Sequence, residues 1–250
     1  MNSQISVIAT AYLLDLIIGD PQWSWHPVRL IGRLTGRLER RLNVGDINRN
    51  FSGIMLLIFV VSITVFSVLG ILKLAALIHP ALYFALSVIL IYFSLSIRSL
   101  AVEAYKVYDA LKNKDIREAR NNLSMIVGRD TDKLEEPEII RATVETVAES
   151  SMDGIVAPLF FAFLGGPALA WAYKAINTLD SMVGHKNERF IEFGRASAKA
   201  DGLLNFIPAK ITCVFISASS LFYGKDWPGS VKWWSKFFFK GQQDNSTAAE

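Results

Sequence analysis

Two stretches of the chain carry no charge over a length that matches a bilayer crossing. Residues 53–72 read GIMLLIFVVSITVFSVLGIL, and a helix of about 20 residues covers the roughly 30 Å of the hydrocarbon core. Residues 80–97, PALYFALSVILIYFSLSI, are equally free of charge, with Tyr83 and Tyr92 placed as interfacial anchors. Only residues 73–79 separate the two stretches, so the pattern predicts a membrane-spanning helical hairpin. Residues 5–19, ISVIATAYLLDLIIG, are interrupted by Asp15 and lack a basic leader. They predict a retained first membrane helix and not a cleaved signal peptide. Residues 155–172 contain Pro158 and the Gly165-Gly166-Pro167 break, and residues 203–223 contain Asn205, Pro208 and Lys210. Both predict interrupted helices, spanning or re-entrant. Broken helices occur at membrane depth where they are buried in protein or line a cavity.

Between the first two apolar segments lie Arg29, Arg33, Arg37, Arg40, Arg41 and Arg49 against Glu39 and Asp46. This basic excess predicts a cytoplasmic loop. Within it Val28, Leu30, Ile31, Leu34, Leu38 and Leu42 recur at helical spacing, which reads as an amphipathic helix on the inner membrane surface. Residues 98–153 are polar, with nine Lys or Arg and twelve Asp or Glu, and predict a cytoplasmic helical insertion. Its helices are expected over 101–111, 116–127 and, after Pro137 with its flanking acids, up to about residue 150. The expected fold is an all-α integral membrane protein. It is a polytopic helical bundle forming one domain over 1–223, with interrupted helices lining the site. Residues 224–250 read as a basic, aromatic interfacial segment followed by a polar tail.

Composition agrees with a membrane protein. Of 250 residues 52% are hydrophobic and only 20% charged, and the mean hydropathy is +0.32; soluble domains have about 45–50% and about 25% respectively. Disorder is excluded by that apolar content. A net charge of +3 is no nucleic-acid footprint. The single cysteine, Cys213, excludes a disulfide scaffold, and its apolar neighbours predict a buried, inert thiol. There is no Walker A pattern and no zinc-ligand spacing among His26, His79, His185 and Cys213.

Candidate chemistry gathers where polar residues meet the apolar segments. Glu145, Glu149 and Asp153 are spaced i, i+4, i+8. On a continuous helix they form one stripe of like charge, which is either a solvated face or a site for a hard cation such as Mg²⁺. Asn177, Asp180 and Ser181 share a face and are bracketed by Lys174 and Lys186, two candidate partners for phosphate oxygens. Asp15 lies near the end of the first apolar segment, Asp20 and His26 follow it, and Asp201 and Asn205 enter the last one. Ionisable residues inside such segments point to function.

The set Asp15, Gly19-Asp20-Pro21, His26-Pro27-Val28, Ile126-Val127-Gly128-Arg129-Asp130-Thr131, Val144-Glu145-Thr146-Val147-Ala148-Glu149, Asp153-Gly154, Ala157-Pro158-Leu159-Phe160, Tyr173-Lys174-Ala175, Asn177-Thr178-Leu179-Asp180-Ser181-Met182-Val183-Gly184 and Asn205 with Ile207-Pro208-Ala209 resembles the adenosylcobinamide-phosphate synthase family, the CbiB/CobD membrane proteins of cobalamin biosynthesis. The resemblance implies an ATP-dependent amide ligase. Its reaction joins (R)-1-aminopropan-2-ol, or its O-phosphate, to the propionate carboxylate of adenosylcobyric acid, a corrinoid. It implies ATP and Mg²⁺, with Glu145, Glu149 and Asp153 as metal ligands and Arg129, Lys174 and Lys186 as phosphate contacts. Asp180 or Asp20 would accept the amine proton. Asn177, Asp201 and Asn205 would orient substrate, Arg129-Asp130 would lie on the substrate-binding side, and His26 would contact substrate or pair with Asp20. The implied setting is the inner membrane, multi-pass, with the site facing the cytoplasm and both late segments partly re-entrant. The bilayer and other cobalamin-pathway enzymes are the implied partners. The family's usual C-terminal block, with a His, a Ser-Pro-Asn run and a Pro-Glu-Ala run, is not found. That departure keeps open a truncated or non-catalytic homologue with a sensor role.

Overall fold

The computed structural model describes residues 2–21, 23–44 and 48–222; the expected interfacial segment and tail over 224–250 lie outside them. The described residues form nine α-helices and one π-helical turn: α1 Asn2–Ile18, α2 Pro27–Leu42, α3 Arg49–Ile78, α4 Pro80–Tyr92, α5 Ile97–Lys112, α6 Ile116–Ser124, α7 Glu136–Ser151, the π turn Met152–Val156, α8 Ala157–Val183 and α9 Arg195–Phe222. No strand occurs among them. Four helical stretches are long and apolar enough to cross a membrane: Arg49–Ile78, Pro80–Lys112, Glu136–Val183 and Arg195–Ser219. The shorter Ser3–Ile18 is also apolar. The all-helical membrane fold read from the pattern is the fold observed.

The chain divides into two units, one from Met1–Ser96 with Ala157–Asn205, the other from Ile97–Val156 with Phe206–Glu250. The second begins one residue before the expected insertion and takes in part of the last apolar helix.

In the first unit α2, α3 and α8 share a core that includes Ile31, Leu56, Val60, Trp171, Leu179, Val183 and Phe193. Three of the four leucines of α2 belong to it: Leu34, Leu38 and Leu42 pack against that core, while Leu30 is exposed. Apart from Leu30, the stripe read as lying on the membrane is covered by protein. Amphipathic spacing marks an apolar face without saying what covers it.

α4 stops at Tyr92, five residues short of the uncharged run. The Leu90 carbonyl accepts from the Trp171 indole Nε1 at 2.8 Å, and the chain tightens into i→i+3 bonds at Ser94 and Leu95. α8 is broken inside the same unit. Gly165 and Gly166 leave the helical region (φ −151°, ψ 28° and φ 65°, ψ −157°). Pro167 lacks the N–H that the Phe163 carbonyl would otherwise receive. The Phe161 and Tyr173 rings nevertheless stack at 5.1 Å and 15°. Twelve residues of straight helix would separate them by about 18 Å, so the two arms of α8 bend back toward each other. Gln4 of α1 completes the break: its amide donates to the Ala162 and Phe163 carbonyls at 2.8 and 3.0 Å. Gln4→Leu is expected to destabilise this hairpin by about 1 kcal/mol, the scale of hydrogen bonds between membrane helices. Thermal unfolding in detergent reads the change, and an unaltered midpoint would show that lipid or water serves those carbonyls as well.

In the second unit α5, α6 and α7 close around Val107, Ala110, Ala119, Leu123, Ile139 and Ala142. α5 ends on Lys114 at φ 58°, with Asp115 N bonded to the Ala110 carbonyl and Lys114 N to that of Leu111, a left-handed cap on a non-glycine residue. Asp115 then caps α6 by accepting from Glu118 N at 2.9 Å. Pro137 sits in the first turn of α7, as expected. Cys213 in α9 is half-buried and not fully buried.

Candidate functional site

Three polar residues from two separate parts of the sequence meet in the first unit. Asn177 on α8 donates to Asp201 Oδ1 at 3.3 Å, and Asn205 donates to Asp201 Oδ2 at 2.8 Å. Asp201 is 1% exposed, Asn205 0% and Asn177 8%. A carboxylate this deep needs partners, and both of its oxygens have an amide donor. Asp201 and Asn205 are fully buried, and Asp201 is bonded to Asn177.

Lys174, Asn177 and Asp180 follow one another along the second arm of α8, with Lys174 and Asp180 half-buried. The Asp180 carboxylate lies over the helix end: a Cβ on Gly184 would come within 1.9 Å of Asp180 Oδ1. Lys186 is exposed in the loop that follows.

That loop is held by residues the sequence reading did not single out. Glu39, 6% exposed, accepts from Arg189 Nε at 3.2 Å and from its Nη2 at 2.8 Å. Asn43 donates to Glu39 Oε1 at 3.2 Å, and Arg49 donates to the Glu188 carbonyl at 3.3 Å. A signal for this clamp was present: Glu39 is the lone acid of α2 and shares the buried stripe of Ile31 and Thr35. Glu39→Ala is expected to loosen residues 184–194 and to cost about 2 kcal/mol, the scale of a hydrogen bond to a charged group. That figure is set toward the lower end because the Arg189 side chain is 63% exposed. Faster hydrogen exchange confined to that loop is the expected readout; unchanged exchange would remove the clamp.

A second polar group lies at the end of α1. Asp15 is buried at the foot of the helix, and the Tyr92 hydroxyl donates to the Gly19 carbonyl. His26 Nε2 stands 2.8 Å from Asp20 Oδ1, and its ring meets the Phe93 ring edge-on at 5.3 Å. Of the two roles open to His26, the structure displays the pairing with Asp20.

In the second unit the acidic stripe does not form as its spacing suggests. Glu145 is engaged by Arg141 Nε at 2.7 Å and by Arg129 Nη2 at 3.3 Å. Asp153 lies in the π turn, whose wider winding breaks the i, i+4, i+8 register. Among the described residues no three His, Cys, Asp or Glu side chains are grouped to hold a metal ion. Mg²⁺ commonly takes one or two carboxylates and completes its shell with phosphate oxygens and water. Glu149, exposed, and Asp153, half-buried, fit that smaller demand by residue type. Arg129 is occupied by Glu145, and Asp130 Oδ1 accepts from Asp132 N at 2.9 Å, stabilising its own turn. Thr131 is buried and donates to the Arg120 carbonyl at 3.0 Å, tying the turn to α6.

These features define a class: a helical integral membrane protein with polar residues at helix ends and helix breaks and a buried amide–carboxylate network. Residues 8–249 match the CobD/CbiB protein family, and the chain belongs to that family. It is 48% identical to "Cobalamin biosynthesis protein CobD" of Geobacter metallireducens, over 88% of this chain and 69% of that protein. It is 50% identical to the protein of that name from Clostridium perfringens, over 85% and 68%. It is 46% identical to "Cobalamin biosynthesis protein CbiB" of Salmonella typhi, over 84% and 67%. The chain thus spans about two thirds of the length of these relatives, and its role lies in cobalamin biosynthesis. No solved structure matches it.

Proposed function

We propose that the chain forms the amide bond between (R)-1-aminopropan-2-ol, free or as its O-phosphate, and the free propionate of adenosylcobyric acid, with ATP as the energy source. The observation that carries this reading is the Asn177–Asp201–Asn205 network beside Lys174 and Asp180, in a chain of this family. A carboxylate does not condense with an amine at neutral pH without activation. Transfer of the γ-phosphoryl group of ATP to the propionate gives an acyl phosphate and ADP. Attack of the amine on the acyl carbon then releases phosphate and one proton.

Lys174 and Lys186 supply point charges for phosphate oxygens. Asp180 accepts the proton of the attacking amine; Asp20, paired with His26, is the alternative acceptor. Asn177, fixed by Asp201 and Asn205, orients the substrate. Glu149 and Asp153 would hold Mg²⁺, which would supply charge neutralisation to ATP. The site faces the cytoplasm of the inner membrane, where ATP is present, and the bend in α8 supports a re-entrant path that leaves the 173–187 segment on that side. Other cobalamin-pathway enzymes are candidate docking partners.

The test is ligation in vesicles supplied with ATP and Mg²⁺. Asp180→Asn and Glu149→Gln are each expected to lower turnover at least about 100-fold, within the range attributed to general acid–base groups. Full activity in both variants would overturn the assignment. Rescue of a strain blocked at this step on cobyric acid separates an enzyme from a sensor, which would not rescue. Periplasmic labelling of Thr178→Cys would sink the cytoplasmic placement.

A further inference from the structure

We propose that the outer face of α2 binds the phosphate groups of anionic phospholipids. The helix presents Arg29, Arg33, Arg37, Arg40 and Arg41, all exposed. Their spacing of three to four residues stacks them along one side over about 18 Å. The opposite side is closed: Ile31, Thr35 and Glu39 are buried, and Leu34, Leu38 and Leu42 pack into the core of the first unit. The lone acid of the helix points inward to Arg189. Among the described residues Arg33, Arg37, Arg40 and Arg41 form no ion pair with a carboxylate. The chain as a whole carries only +3, so the ridge is a local concentration of positive charge.

Three further observations choose the occupant. The helix joins the end of α1 to the start of α3, two apolar helices, which holds it at one membrane surface. Trp23 and Trp25, directly before it, are 51% and 75% exposed, a placement suited to the interfacial zone. Every basic side chain of residues 1–50 is arginine and none is lysine; the planar guanidinium meets phosphate oxygens in pairs, which an ammonium cannot. Because the apolar stripe is covered by protein except at Leu30, what this helix mainly offers the bilayer is charge and not an inserted hydrophobic face.

The full chain is reconstituted in vesicles of equimolar phosphatidylcholine and phosphatidylglycerol and extracted in mild detergent, and the retained lipids are quantified by mass spectrometry. The wild-type chain is expected to retain phosphatidylglycerol about tenfold over phosphatidylcholine, a modest share of what several basic residues at an anionic surface supply. In R33Q/R37Q/R40Q/R41Q the ratio is expected to fall to that of the vesicle. R33K/R37K/R40K/R41K keeps the charge and is expected to fall between the two. If the four-fold Gln variant does not fold, R33Q/R37Q and R40Q/R41Q are read in its place, each with a reduced ratio. Equal retention in folded wild type and Gln variants overturns the proposal. So does an equal rise in unfolding temperature with millimolar inorganic phosphate in pure phosphatidylcholine, which would make the ridge a site for soluble phosphate.

Discussion

Gly184→Ala is expected to reduce ligation about 100-fold, the scale at which a 1 Å misplacement of a reacting group is felt. The added Cβ would lie 1.9 Å from Asp180 Oδ1 and 2.6 Å from the Asp180 backbone oxygen. Both the carboxylate and the last turn of α8 must move to admit it. The glycine is needed for space, and the methyl group acts on the residue proposed to take the amine proton. Turnover in vesicles, with substrate affinity measured separately, gives the comparison. The expected pattern is a large fall in kcat and a smaller change in KM, matching Asp180→Asn. A fully active Gly184→Ala protein would show that Asp180 is not placed by this contact and would remove it from the chemistry.

Gly194→Ala and Gly53→Ala are expected to have the largest effects on stability, each about 3 kcal/mol, the upper part of the range for overpacking. A Cβ at Gly194 would fall 1.7 Å from the Val183 carbonyl oxygen, and one at Gly53 would fall 1.9 Å from that of Phe193. The obstacle in each case is main chain, which cannot swing aside as a side-chain end can. The two glycines let the 184–194 loop lie against the end of α8 and the start of α3. Gly70→Ala, deep in α3 with nothing within 4 Å of its added Cβ, is the control. It is expected to be neutral or to stabilise by up to about 1 kcal/mol through helix propensity. Unfolding midpoints in one detergent distinguish these outcomes. Equal midpoints for Gly194→Ala and wild type would mean that the loop packs differently.

The uncharged hairpin was legible because a bilayer imposes a length and excludes charge, and both can be counted along a sequence. The end of α4 was not legible: the apolar run continues to Ile97, and the helix stops where Trp171, 81 residues away, takes the Leu90 carbonyl. The apolar face of α2 was visible, but its cover was not, since spacing alone cannot tell protein from lipid. Asn177, Asp201 and Asn205 stood out singly by residue type, whereas their convergence depends on how α8 and α9 pack. The acidic stripe from Glu145 assumed one continuous α-helix, and a π turn at Met152 leaves no composition signal. Arg129 and Glu145 were assigned separately to phosphate and to metal, yet they bind each other.

The contact between Gln4 and the broken helix also sets an order of assembly. Gln4 is made before the carbonyls it serves, which belong to Ala162 and Phe163, 158 and 159 positions later. During synthesis α1 must wait until those residues are made. The α8 break, until then, carries two carbonyls that the Gln4 amide does not yet serve. Closure of this part of the protein is therefore a late event, and it cannot begin from the segment that closes it.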